Sequence, residues 1–135
     1  MNFLNLFLKN TPLTRPDWKV LSHENQLEEI LQLSFEKSGH LAVAVFKHST
    51  RCYISRSALR GVEQDWSFQA SEVPFFLLDL LQYPNLSKSL ASQYNVIHQS
   101  PQLLLIRNGK CVYGKTHSEI NSEEAGVFLK SLKTV

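Results

Sequence analysis

The stretch FKHSTRCYISRSAL, Phe46–Leu59, joins the end of an apolar run to the start of a helical pattern and places a cysteine, Cys52, at the join. Upstream, His40–Phe46 (HLAVAVF) is short, rich in alanine and valine, and bounded by Gly39 and a polar cluster. That pattern suits a strand covered on both faces. Downstream, Ile54, Ala58, Leu59 and Val62 recur at helical spacing, which predicts a helix over about Cys52–Gln64 with these side chains turned inward. A strand feeding a helix is the building unit of α/β sheets, and functional groups of such sheets gather outside the carboxyl ends of the strands.

Working outward, Asp17–Leu21 (DWKVL) predicts a short strand. Ser22 then offers an N-cap to a helix whose inner face is Leu27, Ile30, Leu31, Ser34 and Phe35, closed by Gly39. Val73–Leu81 (VPFFLLDLL) reads as a second buried strand and Asn85–Tyr94 as a short helix. Gln102–Thr116 is a hairpin with Asn108–Gly109 as its turn. Ser122 can cap a last helix, Glu123–Lys133, with Ala125, Val127, Phe128 and Leu132 available for burial. Residues 1–16 read as an N-terminal extension: an amphipathic segment (Phe3, Leu4, Phe7, Leu8), then a connector that Pro12 and Pro16 keep extended. The order β-α-β-α-β-α-β-β-α over residues 17–135 predicts a thioredoxin-like, three-layer α/β/α domain. Its central mixed sheet has four to five strands and ends in an antiparallel hairpin.

The totals exclude several classes. With 135 residues the chain is one domain, large enough for a core without disulfides or metals. A net charge of +2 with scattered basic residues does not argue for nucleic acid, and no apolar run approaches a membrane span. The N-terminus lacks a basic start and a small-residue cleavage site, so a cytoplasmic location is expected. The five histidines are dispersed and form no zinc spacing with the two cysteines, so no metal site is expected.

The chemistry centres on Cys52. At a helix start its thiol faces the positive end of the dipole and unpaired backbone N–H groups, both of which favour the thiolate. His48 and Arg51 add possible positive charge; Ser49 reads as loop hydrogen bonding. A two-cysteine redox motif would carry its partner three residues on, where Ser55 stands. Ser55 is either a hydrogen-bond donor to a thiolate or an ordinary polar residue of the first turn. Cys111 lies most of a strand from Pro101, roughly 20 Å at about 3.4 Å per residue, beyond disulfide reach. The fifth strand returns His117 toward Cys52, as a group that tunes the thiolate or as an exposed loop histidine. Asp79, ending a strand at the same edge, is either a proton acceptor for the thiol or a cap for the following turn.

The blocks FKHSTRCYIS, HQSPQLLLIRNGK and THSEI, in this order, are similar to the YtxJ-like monothiol bacilliredoxins, thioredoxin-fold proteins linked to the low-molecular-weight thiol bacillithiol. The likeness runs from about Trp18 to the C-terminus. It implies that Cys52 is the nucleophile and Ser55 the second position of a Cys-x-x-Ser motif. It further implies a cis peptide before Pro101, with Ser100 free to pair with an extended substrate, and Thr50, Arg51, Tyr53 and His117 around the substrate. The implied activity is removal of bacillithiol, or a similar small thiol used as co-substrate and not tightly bound, from proteins carrying S-thiolated cysteines. Tyr53 departs from the proline that many members carry after the cysteine: it restores an N–H near the sulfur and adds an aromatic surface. Two other classes compete: a carrier of an iron–sulfur cluster or small thiol, and a passive redox sensor that accepts a thiol without turnover.

Overall fold

The computed structural model describes residues 15–134. The alanine- and valine-rich run forms a strand at Val43–His48, in which every residue is buried. In chain order the strands are β1 (Lys19–Val20), β2 (Val43–His48), β3 (Phe75–Asp79), β4 (Gln102–Arg107) and β5 (Lys110–Thr116). The helices are α1 (Asn25–Leu33), α2 (Tyr53–Asp65), α3 (Pro84–Tyr94) and α4 (Ser122–Ser131). The sheet runs β1-β3-β2-β4-β5, with β3 parallel to β1 and β2, and β4 antiparallel to β2 and β5. This is the expected element order and mixed sheet.

Alternation along the strands divides the core in two. Ala44, Phe46, Phe75, Leu77, Leu103 and Leu105 pack with Leu59 and Val62 of α2 and Ala125 and Leu129 of α4. On the other face, Val43, Val45, Phe76, Leu78, Leu104 and Ile106 pack with Leu27 and Ile30 of α1 and Leu86 and Leu90 of α3. Trp18 stacks on Phe75 with centroids 3.7 Å apart, and Trp66 meets the same ring edge-on. Because β4 runs against β2, one sheet edge collects the ends of β2, β3 and β5 and the start of β4. No helix among the described residues is long and apolar enough to cross a membrane. The amphipathic segment Phe3–Leu8 lies outside the described residues.

Several local readings are corrected. Glu24, not Ser22, precedes α1, and the side chain of Gln26 reaches back to accept from the Ser22 and His23 N–H groups. Asn121, not Ser122, caps α4, its Oδ1 accepting from Glu124 N at 2.9 Å. Ile54 and Val127 are exposed, not inward. In α2 the buried face is Ser55, Leu59 and Val62, an i, i+4, i+7 set that turns Ile54 outward by one residue's rotation. Gly39, with φ 89°, closes a 3₁₀ turn at Glu36–Ser38, beyond the end of α1.

The hairpin turn is tied to α1. Asn108 and Gly109 both have positive φ (52° and 75°), as a two-residue hairpin turn requires. Asn108 N donates to Ser34 O at 2.7 Å, and Gly109 N donates to Ser34 Oγ at 3.0 Å. Ser34, fully buried, also donates to Leu31 O. Ser34→Ala leaves the Gly109 N–H without its partner and should lower the unfolding free energy by about 1–3 kcal/mol. Urea unfolding with an unchanged midpoint would show that water satisfies that group instead.

Candidate active site

Cys52 is the N-cap residue of α2, in extended backbone (φ −99°, ψ 121°), and is partly exposed. Its carbonyl accepts the first helical bond, from Arg56 N at 3.0 Å, and its own N–H donates to Ser49 O. The sulfur makes no capping bond, and Cys52 sits at the end of α2 where first-turn N–H groups lack intrahelical partners. Helix and strand place the thiol where the sequence pattern puts it.

Ser55 is buried, and its hydroxyl is already engaged. Oγ accepts from Ser49 N at 2.9 Å and lies 2.7 Å from His48 Nδ1. The bond toward a thiolate is not formed; Ser55 ties the β2–α2 loop to the end of β2. Burial pushes His48 below the usual histidine range, against the opposing pull of the Asp79 and Glu63 carboxylates and with Arg56 adding to the lowering. Asp79 faces His48 across the β2–β3 register. Its Oδ1 accepts from Leu81 N at 3.0 Å and its Oδ2 from Thr50 Oγ1 at 3.4 Å, so of its two readings the cap is the one formed. Arg56 donates to Thr50 O and lies over the Tyr53 ring at 5.9 Å; Arg51 is exposed.

From the other strands, the Ser100–Pro101 peptide is cis and precedes β4 directly. Ser100 Oγ is buried without a partner. His117, just past β5, donates its N–H to Pro101 O at 3.1 Å, so the THSEI block does return to this edge. Its side chain is exposed and lines, with Tyr53, a groove of about 1020 Å³ between α2 and α4. Cys111 is opposite Ile106 on β5, about five residues along from Pro101, or roughly 17 Å. Its thiol is pushed up by burial and donates to Tyr113 O.

Two residues of this edge escaped the sequence reading. Lys47 is fully buried in β2, and its Nζ lies 3.3 Å from His98 Nδ1, which also meets Ser87 Oγ at 3.0 Å. A Lys47 ammonium can only donate, which makes His98 Nδ1 its acceptor, and burial together with the Lys47 and Lys88 charges pushes His98 below the usual histidine range, in the same sense. His98 precedes Pro101 by three residues, and Gln102 Nε2, beside Lys47 in register, holds Ile97 O in the same loop. The signal was available: a lysine inside AVAVFKH is an anomaly in a strand covered on both faces. Burial lowers Lys47 from 10.5 to about 8. Between these values the unfolded chain carries the proton that the folded chain has lost, so the Lys47 contribution to stability rises with pH. Unfolding free energies of wild type should therefore climb relative to Lys47→Met from about pH 8 to 10.5. A constant difference across that window would mean an ordinary lysine.

Comparisons place this geometry among known proteins. A solved structure described as that of a candidate oxidoreductase with a thioredoxin fold is 27% identical, with a TM-score of 0.66, covering 82% of this chain and 92% of its own. A Malassezia sympodialis thioredoxin is 14% identical at a TM-score of 0.63, covering 84% of this chain and 89% of its own. A poplar thioredoxin h mutant is 15% identical at 0.62, covering 91% and 88%. At these lower identities the likeness shows the fold alone. The family model described as monothiol bacilliredoxin BrxC matches residues 19–125, a span holding Cys52, Pro101 and His117, and the chain therefore belongs to the monothiol bacilliredoxin family.

Proposed function

We propose that this thioredoxin-fold redox protein removes a low-molecular-weight thiol, bacillithiol or a close analogue, from protein mixed disulfides, with Cys52 as the nucleophile. The observation that carries the reading is a partly exposed cysteine at the N-cap of α2 with no second cysteine in reach, in a chain of the monothiol bacilliredoxin family. The Cys52 thiolate attacks the small-thiol sulfur of the client disulfide. The client thiolate leaves and takes a proton, and Cys52 retains the small thiol in a mixed disulfide. A second small-thiol molecule, as thiolate, then attacks that disulfide, releasing Cys52 thiolate and the symmetric small-thiol disulfide. Electrons balance: the client cysteine is reduced and two small thiols are oxidised together.

Ser55 acts in this reading as a positioning residue. Its bonds to Ser49 and His48 hold the loop that presents the thiol, and it offers no sulfur for an internal disulfide. Thr50, braced by Asp79 and Arg56, keeps the same loop in place. Arg51, Tyr53, Ser100, Pro101 and His117 surround the substrate: Tyr53 as an aromatic surface and the Ser100 backbone as a partner for an extended client segment.

Intact-mass spectrometry with a bacillithiolated client protein tests this directly. Wild type should take the bacillithiol mass at Cys52 while the client loses it, and Cys52→Ala should do neither. If wild type stays unmodified with bacillithiolated and glutathionylated clients alike, the transfer reading is wrong. Ser55→Ala should still form the adduct, but with the Ser49 N–H and His48 Nδ1 left unpaired it should unfold about 1–3 kcal/mol more easily. An adduct yield reduced to the Cys52→Ala level in a folded Ser55→Ala protein would instead make the hydroxyl part of the chemistry.

A further inference from the structure

Lys47 is a costly residue where it stands. It is fully buried in β2, and among the described residues it meets no carboxylate within ion-pair distance. Methionine would fill a similar volume without burying an amine. What the amine adds is one contact: Nζ lies 3.3 Å from His98 Nδ1, in the loop that leads to the cis peptide.

That loop has little else to hold it. Among the described residues no backbone–backbone hydrogen bond ties Ile97–Ser100. The nearest lie outside the segment, from Val96 N to Ala91 O and from His117 N to Pro101 O. Ile97 is 76% exposed, and His98 is exposed beside it. Side chains from three elements grip the segment instead. Lys47 of β2 and Ser87 of α3 meet His98 Nδ1, and Gln102 of β4 donates through Nε2 to Ile97 O at 3.0 Å. All three gripping residues are buried. Lys47 and Gln102 are also partners in the β2–β4 register, so one rung of the sheet supplies two of the grips. The backbone groups of Ile97–Ser100 are thus open to an extended partner, while buried side chains set where the segment lies. Cys52 depends on other bonds, those of Ser55 to Ser49 and His48. Neighbouring strand residues point to opposite faces, so Lys47 and His48 serve different loops.

We propose that Lys47 is a positioning residue: through His98 it fixes the Ile97–Ser100 segment on which an extended client pairs, and so sets affinity for the client protein. The ordering of the segment stands by itself. Its effect on clients rests on the transfer reading above.

Lys47→Met and His98→Ala each remove one end of the contact, and His98→Asn keeps an acceptor near the place of Nδ1. In the reduced full chain, the heteronuclear 1H–15N NOEs of the Gln99 and Ser100 amides should fall in the first two variants and recover in His98→Asn. The Leu104 amide of β4 should stay constant as a check of folding. Unchanged NOEs at Gln99 and Ser100 in Lys47→Met would overturn the proposal, whatever the clients do. The second readout is adduct formation at Cys52 by intact mass, in single turnovers over a range of bacillithiolated client concentrations. Half-saturation should rise about tenfold in Lys47→Met, with the limiting rate kept. Cys52 reaches the same adduct from symmetric bacillithiol disulfide: its thiolate takes one sulfur, the disulfide bond breaks and the other half leaves as a thiol. That rate should match wild type. Equal losses with client and small disulfide, or a half-saturation that stays at the wild-type value while the NOEs fall, would refute the role in client binding. Wild type that takes bacillithiol from neither would remove the transfer reading instead, and the NOEs alone then decide the ordering.

Discussion

Burial of β2 on both faces is the constraint on which the other features depend. A central strand covered by helices on each side must be apolar along its length, and Val43–Phe46 meets that requirement. It then has to deliver a polar loop at its end without opening the core. Lys47 and His48, the last two residues of the strand, are polar yet buried, and each is answered locally. His98 and Ser87 surround the Lys47 side, while Ser55 serves the His48 side. These partners let the strand end inside the protein with the thiol just outside it.

The two sides of that strand end are tied to different parts of the site. His48 and Ser55 fasten the β2–α2 loop, which presents Cys52. Lys47, through His98, faces the loop that runs into Ser100–Pro101. A serine three residues after the cysteine is thus occupied within the scaffold, and the thiol stands alone at the helix end. In this chain of the monothiol bacilliredoxin family, the partly exposed thiol is thus separate from the buried groups that hold its loop. It also explains why serine suits the position: it is small enough to be buried in the first turn and bonds to both the loop N–H and the imidazole.

Tyr53 and Ile54 do the opposite work. They follow the thiol on the exposed side of α2 and, with Val127, give the adjoining groove, which polar side chains also line, its exposed apolar groups. The first turn of α2 therefore alternates between a buried serine and exposed apolar groups, the reverse of the usual amphipathic order, and that reversal belongs to the neighbourhood of the thiol. Farther along α2, Leu59 and Val62 restore ordinary packing.

The sequence by itself determined the strand–helix unit around Cys52, the element order, the hairpin at Asn108–Gly109 and the return of His117 to the Pro101 edge. These follow from local signals: periodicity, turn residues and the direction of alternating strands. Only the tertiary structure decided which face of α2 is buried, because Ile54 and Ser55 differ by one residue's rotation and hydrophobicity alone points to the wrong one. It also decided that Asp79 caps a turn, that Ser55 answers His48, and that Lys47 meets His98 fifty-one residues away. Such pairings join residues that are distant in the chain, and burial, not sequence spacing, is what obliges polar groups to find one another.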